Sequence, residues 1–188
     1  GGETLIRRWP EIKRGVITAM ALVLSVYAIM TWRQVHTWEN ATSLFTHALQ
    51  VASDHPLLYN NLGAALEREG KIREAVYYYE KALQLTPDDF DAHYNLGLTL
   101  MKLGRLDEAV LHSLEALKLQ PDHPYAHYNT GFAMTQKGSL GEAEKHYREA
   151  LRLLPDFSDA HIKLAAVLNR QGKIEDAIRH YTEALRID

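Results

Sequence analysis

The feature that most limits what this chain can fold into is a 34-residue phrase written four times between residues 56 and 188. Tyr59-Asn60-Asn61-Leu62-Gly63, His93-Tyr94-Asn95-Leu96-Gly97, His127-Tyr128-Asn129-Thr130-Gly131 and His161-Ile162-Lys163-Leu164-Ala165 fall in one register. Gly70, Gly104, Gly138 and Gly172 share a column, as do Ala75, Ala109, Ala143 and Ala177, and Pro87, Pro121 and Pro155 close the first three copies. A fixed period of this length marks stacked repeats rather than one globular core. Within a copy, Leu62, Gly63 and Leu66, then Ala75, Tyr79, Ala82 and Leu83, recur at steps of three and four, which predicts two helices with facing apolar stripes. The Gly70 column sits between them, where a left-handed residue ends a helix without a Cβ penalty. Small residues at Gly63, Ala75 and Ala82 let the pair approach, and the proline stops the second helix. At Gly104 a valine would meet a forbidden backbone angle and lose close packing.

The Leu-Gly, Gly, Ala, Tyr, Ala and Pro columns closely resemble those of the tetratricopeptide repeat family. The resemblance implies an all-α, right-handed superhelical solenoid of helix hairpins, with copies at residues 56–89, 90–123, 124–157 and a shortened 158–188. His93, His127 and His161 stand where the family often carries tryptophan, and Thr130 and Ala165 replace a leucine and a glycine. The resemblance also implies a concave groove lined by first helices, which takes a protein segment or an extended peptide. Its ligand-facing positions fall on Arg68 in the first copy, Tyr94, Leu98, Met101 and Lys102 in the second, Tyr128 and Phe132 in the third, and Arg170 in the fourth. Asn61, Asn95 and Asn129 form a column of amides, each with two N–H donors and an acceptor. Either this ladder holds a peptide backbone, as groove asparagines do in the repeat region of O-linked N-acetylglucosamine transferase, or each amide bonds within its own hairpin. Lys163 breaks the column in the last copy.

The N-terminal part reads differently. Residues 15–32 carry no charge and as a helix would reach roughly 27 Å, close to the hydrocarbon thickness of a bilayer. Trp9 and Trp32 flank the run like interfacial aromatics. The expectation is a basic flank at 1–14, one transmembrane helix at 15–35 and a degenerate half-repeat at 36–55, joined stiffly near His36 and Thr37. A helix buried on the repeats is the alternative. Arg7, Arg8, Lys13 and Arg14 precede the span and Arg33 alone follows it, so the positive-inside rule places the N-terminus in the cytoplasm and the repeats in a periplasm or lumen. Asn40-Ala41-Thr42 is a glycosylation triplet at an expected helix start, which favours a structural role. The chain begins without methionine and stops one residue before a fourth closing proline, which reads as part of something longer.

The combination of Arg33-Gln34, Trp38-Glu39-Asn40, Leu44-Phe45 and Asn60-Asn61-Leu62-Gly63 after an apolar run resembles the junction between the last membrane helix and the repeat tail of tetratricopeptide-tailed membrane mannosyltransferases. That implies a catalytic part outside this chain and transfers no catalytic residue onto it.

Chemistry within the chain finds little support. Residues 1–35 carry five basic and two acidic groups, so the overall net charge of −3 leaves the remainder at −6, the opposite of a nucleic-acid-binding solenoid. Cysteine is absent, so no disulfide or thiolate site exists. Columns of histidine one repeat apart stand about 8–10 Å from each other and cannot converge at about 2 Å on one zinc ion. No phosphate loop or nucleophile elbow stands out, so no catalytic residue, metal or cofactor is expected. The reading is a membrane-tethered, non-catalytic interaction scaffold. The alternatives are the substrate-recruiting tail of a multi-span membrane glycosyltransferase and a homo-oligomer stacked through the repeat ends.

Overall fold

The structure, a computed structural model, describes residues 18, 20, 22–30, 40–52 and 54–187. It divides after His47 into two units. In the first, residues 22–30 are helical and their large apolar side chains are exposed, Leu24 at 64% and Tyr27 at 65%. Among the described residues no helix is long and apolar enough to cross a membrane. The expected span at 15–32 lies partly outside them, and the basic flank, Trp9, Trp32 and the turn near His36 lie wholly outside. Helix α1, Ala41–Val51, occupies the stretch expected to be helical. Asn40 sets its start, its Oδ1 accepting a hydrogen bond from the Ser43 N–H at 2.8 Å. That is the N-cap role that short amides fill.

The second unit is all helix among its described residues and keeps the 34-residue register. First helices are α2 (Pro56–Arg68), α4 (Phe90–Lys102), α6 (Pro124–Gln136) and α8 (Ser158–Arg170). Second helices are α3 (Ile72–Leu85), α5 (Leu106–Leu119), α7 (Leu140–Leu153) and α9 (Ile174–Ile187). Each first helix packs on its own second helix, and each second helix packs on the next first helix. Consecutive first helices also touch, whereas consecutive second helices among those described do not. The first helices therefore line the shorter, concave side of the stack.

The repeat columns explain this packing. Ala75, Ala82, Ala109, Ala116, Ala143 and Ala150 are fully buried, with the rings of Tyr79 and Tyr147 beside them. A Cβ on Gly63 would stand 2.8 Å from the Tyr79 ring, and one on Gly131 2.9 Å from Tyr147, so glycine is what lets those hairpins close around a tyrosine. The Gly104 column works otherwise. Gly70, Gly104, Gly138 and Gly172 have φ between +71° and +81°, but a Cβ there meets nothing within 4 Å. The expected close packing at Gly104 is thus corrected: the backbone angle alone requires the glycine. Between copies, Asp89 caps α4 by accepting from the Ala92 N–H at 3.1 Å, and His123 Nδ1 does the same for Ala126 in α6. In the last copy the face that buries Tyr147 and Val110 earlier is open, with Tyr181 at 41% and Ile178 at 58% exposure.

Candidate functional site

A groove of about 340 Å³ crosses α4, α6 and α8 on the concave side. Leu98, Met101, Tyr128 and Phe132 make its apolar surface, and Lys102, Asn129 and Lys163 its polar part. Six of the expected site residues thus meet at one place: Leu98, Met101, Lys102, Tyr128, Asn129 and Phe132. Tyr94 is the neighbour of this cluster, accepting at its hydroxyl a hydrogen bond from Asn129 Nδ2 at 2.8 Å. Arg68, Asn61, Asn95 and Arg170 lie outside the lining. Arg68 and Arg170 share the column of Lys102 at the ends of their first helices and are exposed.

Asn95 and Asn129 do not bond within their own hairpins, the second of the two expectations. Asn95 Nδ2 donates to Asn60 Oδ1 at 3.1 Å, and Asn129 donates to Tyr94. Both bonds run to the preceding first helix, 35 residues back, so these amides tie copy to copy rather than close their own hairpin. Each still has a second N–H and an acceptor oxygen with which to meet a ligand.

Electrostatics separate the cations. Glu67 collects Lys102 Nζ at 2.5 Å, the Thr99 hydroxyl at 3.1 Å and the Tyr79 hydroxyl at 3.1 Å, joining α2, α3 and α4. Burial and that carboxylate push the Tyr79 hydroxyl well above the usual tyrosine range, and burial pushes Tyr147 up to about 12. Lys163 Nζ stands 5.5 Å from the centroid of the Phe132 ring, in cation–π range, with no carboxylate partner among the described residues. Reading the sequence treats Lys163 only as a break in the asparagine column. Its register with Asn129 was the available signal that it reaches the groove.

The histidines pair, which their one-repeat spacing conceals. His93 Nδ1 lies 2.9 Å from His112 Nδ1, while His93 Nε2 lies 2.8 Å from the Pro87 carbonyl. A carbonyl only accepts, so His93 carries its proton on Nε2 and, when neutral, accepts at Nδ1 from the Nδ1–H of His112. His127 with His146 and Pro121, and His161 with His180 and Pro155, repeat the device. Burial, then the facing histidine, pushes His112, His146 and His180 below the ordinary histidine range. Among the described residues no group of three His, Cys, Asp or Glu could hold a metal ion.

Comparison with known proteins agrees with this architecture. The family model described as "TPR repeat" matches residues 66–104, and the one described as "Tetratricopeptide repeat" matches residues 94–156 and 136–188. The chain belongs to the tetratricopeptide repeat family. Among curated relatives of this repeat protein, the "Protein O-mannosyl-transferase Tmtc3" of Drosophila melanogaster is 35% identical over 85 residues, which is 43% of this chain and 9% of that protein. The TMTC3 of Mus musculus is 33% identical over 60 residues, 32% of this chain and 6% of that protein. The chain therefore spans less than a tenth of these relatives' length. Among solved structures, MamA 41-end from Desulfovibrio magneticus RS-1 has a TM-score of 0.75 at 22% identity, covering 87% of this chain and 93% of that one. YrrB, described as "a TPR protein with an unusual peptide-binding site", has a TM-score of 0.72 at 24% identity, covering 83% and 80%. At these identities the structures share the fold.

Proposed function

We propose that this chain is a non-catalytic interaction scaffold that holds an extended segment of a partner protein in its concave groove. The observation that carries the reading is the convergence of four apolar side chains, a groove amide and two lysines across three consecutive first helices. A concave, mostly apolar surface with a few fixed polar groups is what binding sites are made of. YrrB, of the same fold, is described as having a peptide-binding site, which supports a peptide ligand here. The apolar run at 15–32 is the proposed membrane anchor, with the N-terminus cytoplasmic and the repeats in a periplasm or lumen. Photo-crosslinking tests the groove directly. A benzophenone side chain at Leu98 should trap the partner, and one at the exposed outer residue Leu111 should not; trapping at Leu111 alone refutes the reading. Flotation of the chain with liposomes, lost on deleting residues 15–32, tests the anchor.

A second reading is favoured by the mannosyltransferase relatives: the repeats are the tail that recruits acceptor proteins to a membrane O-mannosyltransferase. The isolated repeats, added in excess, should then compete for acceptor and slow mannosyl transfer by such an enzyme. Unchanged transfer counts against it. A third reading, stacking of copies through the open face of α9, rests on the exposure of Ile178, Tyr181 and Leu185. Light scattering that finds monomers at high concentration removes it.

A further inference from the structure

The outward cations of α5, α7 and α9 are neutralised locally. Lys118 pairs with Glu115 at 2.6 Å, Lys145 with Glu142 at 2.8 Å, Arg152 with Glu149 at 2.7 Å and Arg186 with Glu183 at 2.6 Å, each within one helix. The first helices are different. Lys102 is neutralised by Glu67, but Arg68, Lys163 and Arg170 have no carboxylate partner among the described residues. Asp159, the one acid on α8, acts on Tyr128 and pairs with neither Lys163 nor Arg170. Within the groove lining, Lys163 is thus the cation left without a carboxylate partner among the described residues.

Lys163 belongs to the same lining as the apolar surface of Leu98, Met101, Tyr128 and Phe132. A ligand side chain seated there brings the residue two positions along to the same groove face, since successive side chains of an extended strand, about 3.3 Å apart, point to opposite faces. The geometry points to an occupant of defined chemistry: an internal, acidic segment of a partner protein that seats one large apolar side chain in this groove and sets an Asp or Glu carboxylate, two residues along, on Lys163. An internal segment is favoured over a free C-terminus because the lining offers one cation without a carboxylate partner among the described residues, Lys163, and an acidic C-terminus would bring it two carboxylates. This rests on the groove being the binding surface.

The test uses the full chain and fluorescein-labelled, C-terminally amidated peptides of sequence Ser-Glu-Gly-Leu-Gly-Glu-Ser, called the Glu-Leu-Glu peptide for its three contact residues. Twins carry Gln for both Glu, Ser for Leu, or a free-acid C-terminal Leu with no Glu. Fluorescence anisotropy should show the Glu-Leu-Glu peptide binding at least about tenfold tighter than the Gln twin, as expected for a charge-assisted contact. That advantage should vanish in Lys163→Gln, survive in Lys163→Arg, and shrink at about 0.5 M salt, where screening is strong. Equal saturable binding of the Glu and Gln peptides overturns the charge assignment and leaves the groove reading standing. Preference for the free-acid peptide overturns the internal-segment assignment. Failure of every peptide to bind overturns the groove reading with it.

Discussion

The first and second helices of each hairpin come from one repeated phrase but use their exposed residues differently. On the second helices α5, α7 and α9, cations and carboxylates sit three residues apart and cancel, as in Lys118 with Glu115 and Arg152 with Glu149. Such exposed pairs are screened by solvent and leave little field beyond about 8 Å. On the first helices, cations either cross to a neighbouring copy, as Lys102 does to Glu67, or stay without an acid. There the aromatic rings of Tyr128 and Phe132 and the amide of Asn129 join them. The difference teaches that the outer face is built to be inert and the inner face to attract. Sequence repetition alone does not show that division, because both faces repeat equally well.

The comparison breaks most completely where both faces lose their common support. Gly131→Val puts atoms within 2.9 Å of the fully buried Tyr147 ring and should cost about 1–3 kcal/mol or more, with loss of helical ellipticity and of ligand binding together. Unchanged thermal unfolding would show that the hairpin has slack.

Acid comes next. His112, facing His93, Glu108, Glu115 and Arg105, has its pKa lowered in the fold; so have His146, facing His127, Glu142, Lys145 and Glu149, and His180, facing His161, Arg148, Asp176 and Arg179. The unfolded chain therefore takes up protons first. Stability is intact above the unfolded histidine value of about 6.5 and is lost as pH falls below it. Three equivalent pairs should lower Tm by several degrees between neutral and mildly acidic buffer. Replacing His112, His146 and His180 by Gln should flatten that profile.

Asn95→Ala with Asn129→Ala sharpens the inner face. Each loses one bond to the preceding copy, roughly 0.5–1.5 kcal/mol. If the remaining amide groups also serve a ligand, affinity of the folded protein drops several-fold; if affinity holds while Tm falls, the amides serve the stack alone. The smallest effect belongs to the outer side. Gly141→Ala, whose added Cβ meets nothing within 4 Å in α7, should stabilise by about 0.5–1 kcal/mol and leave binding untouched.

The fold was legible because period, glycine column and alanine columns all encode the same hairpin, and the helices keep the predicted register. The groove was legible in part, since one column places Leu98 and Phe132 on the same side of their copies. What stayed hidden are contacts between different columns. His93 meets His112 across a hairpin, 19 residues on, and Asn95 meets Asn60 across a copy boundary, 35 residues back. A repeat shows which positions are equivalent, not which ones touch. The Gly104 column shows the converse, where a glycine suggests close packing and the backbone angle is the whole reason.

The most direct test of the account is a chemical-shift map of the isotope-labelled chain titrated with the Glu-Leu-Glu peptide. The account predicts saturable shifts on α4, α6 and α8, centred on Leu98, Phe132 and Lys163, with second-helix residues such as Leu111 and Lys118 unmoved. Shifts centred on the second helices, with the groove silent, would contradict it.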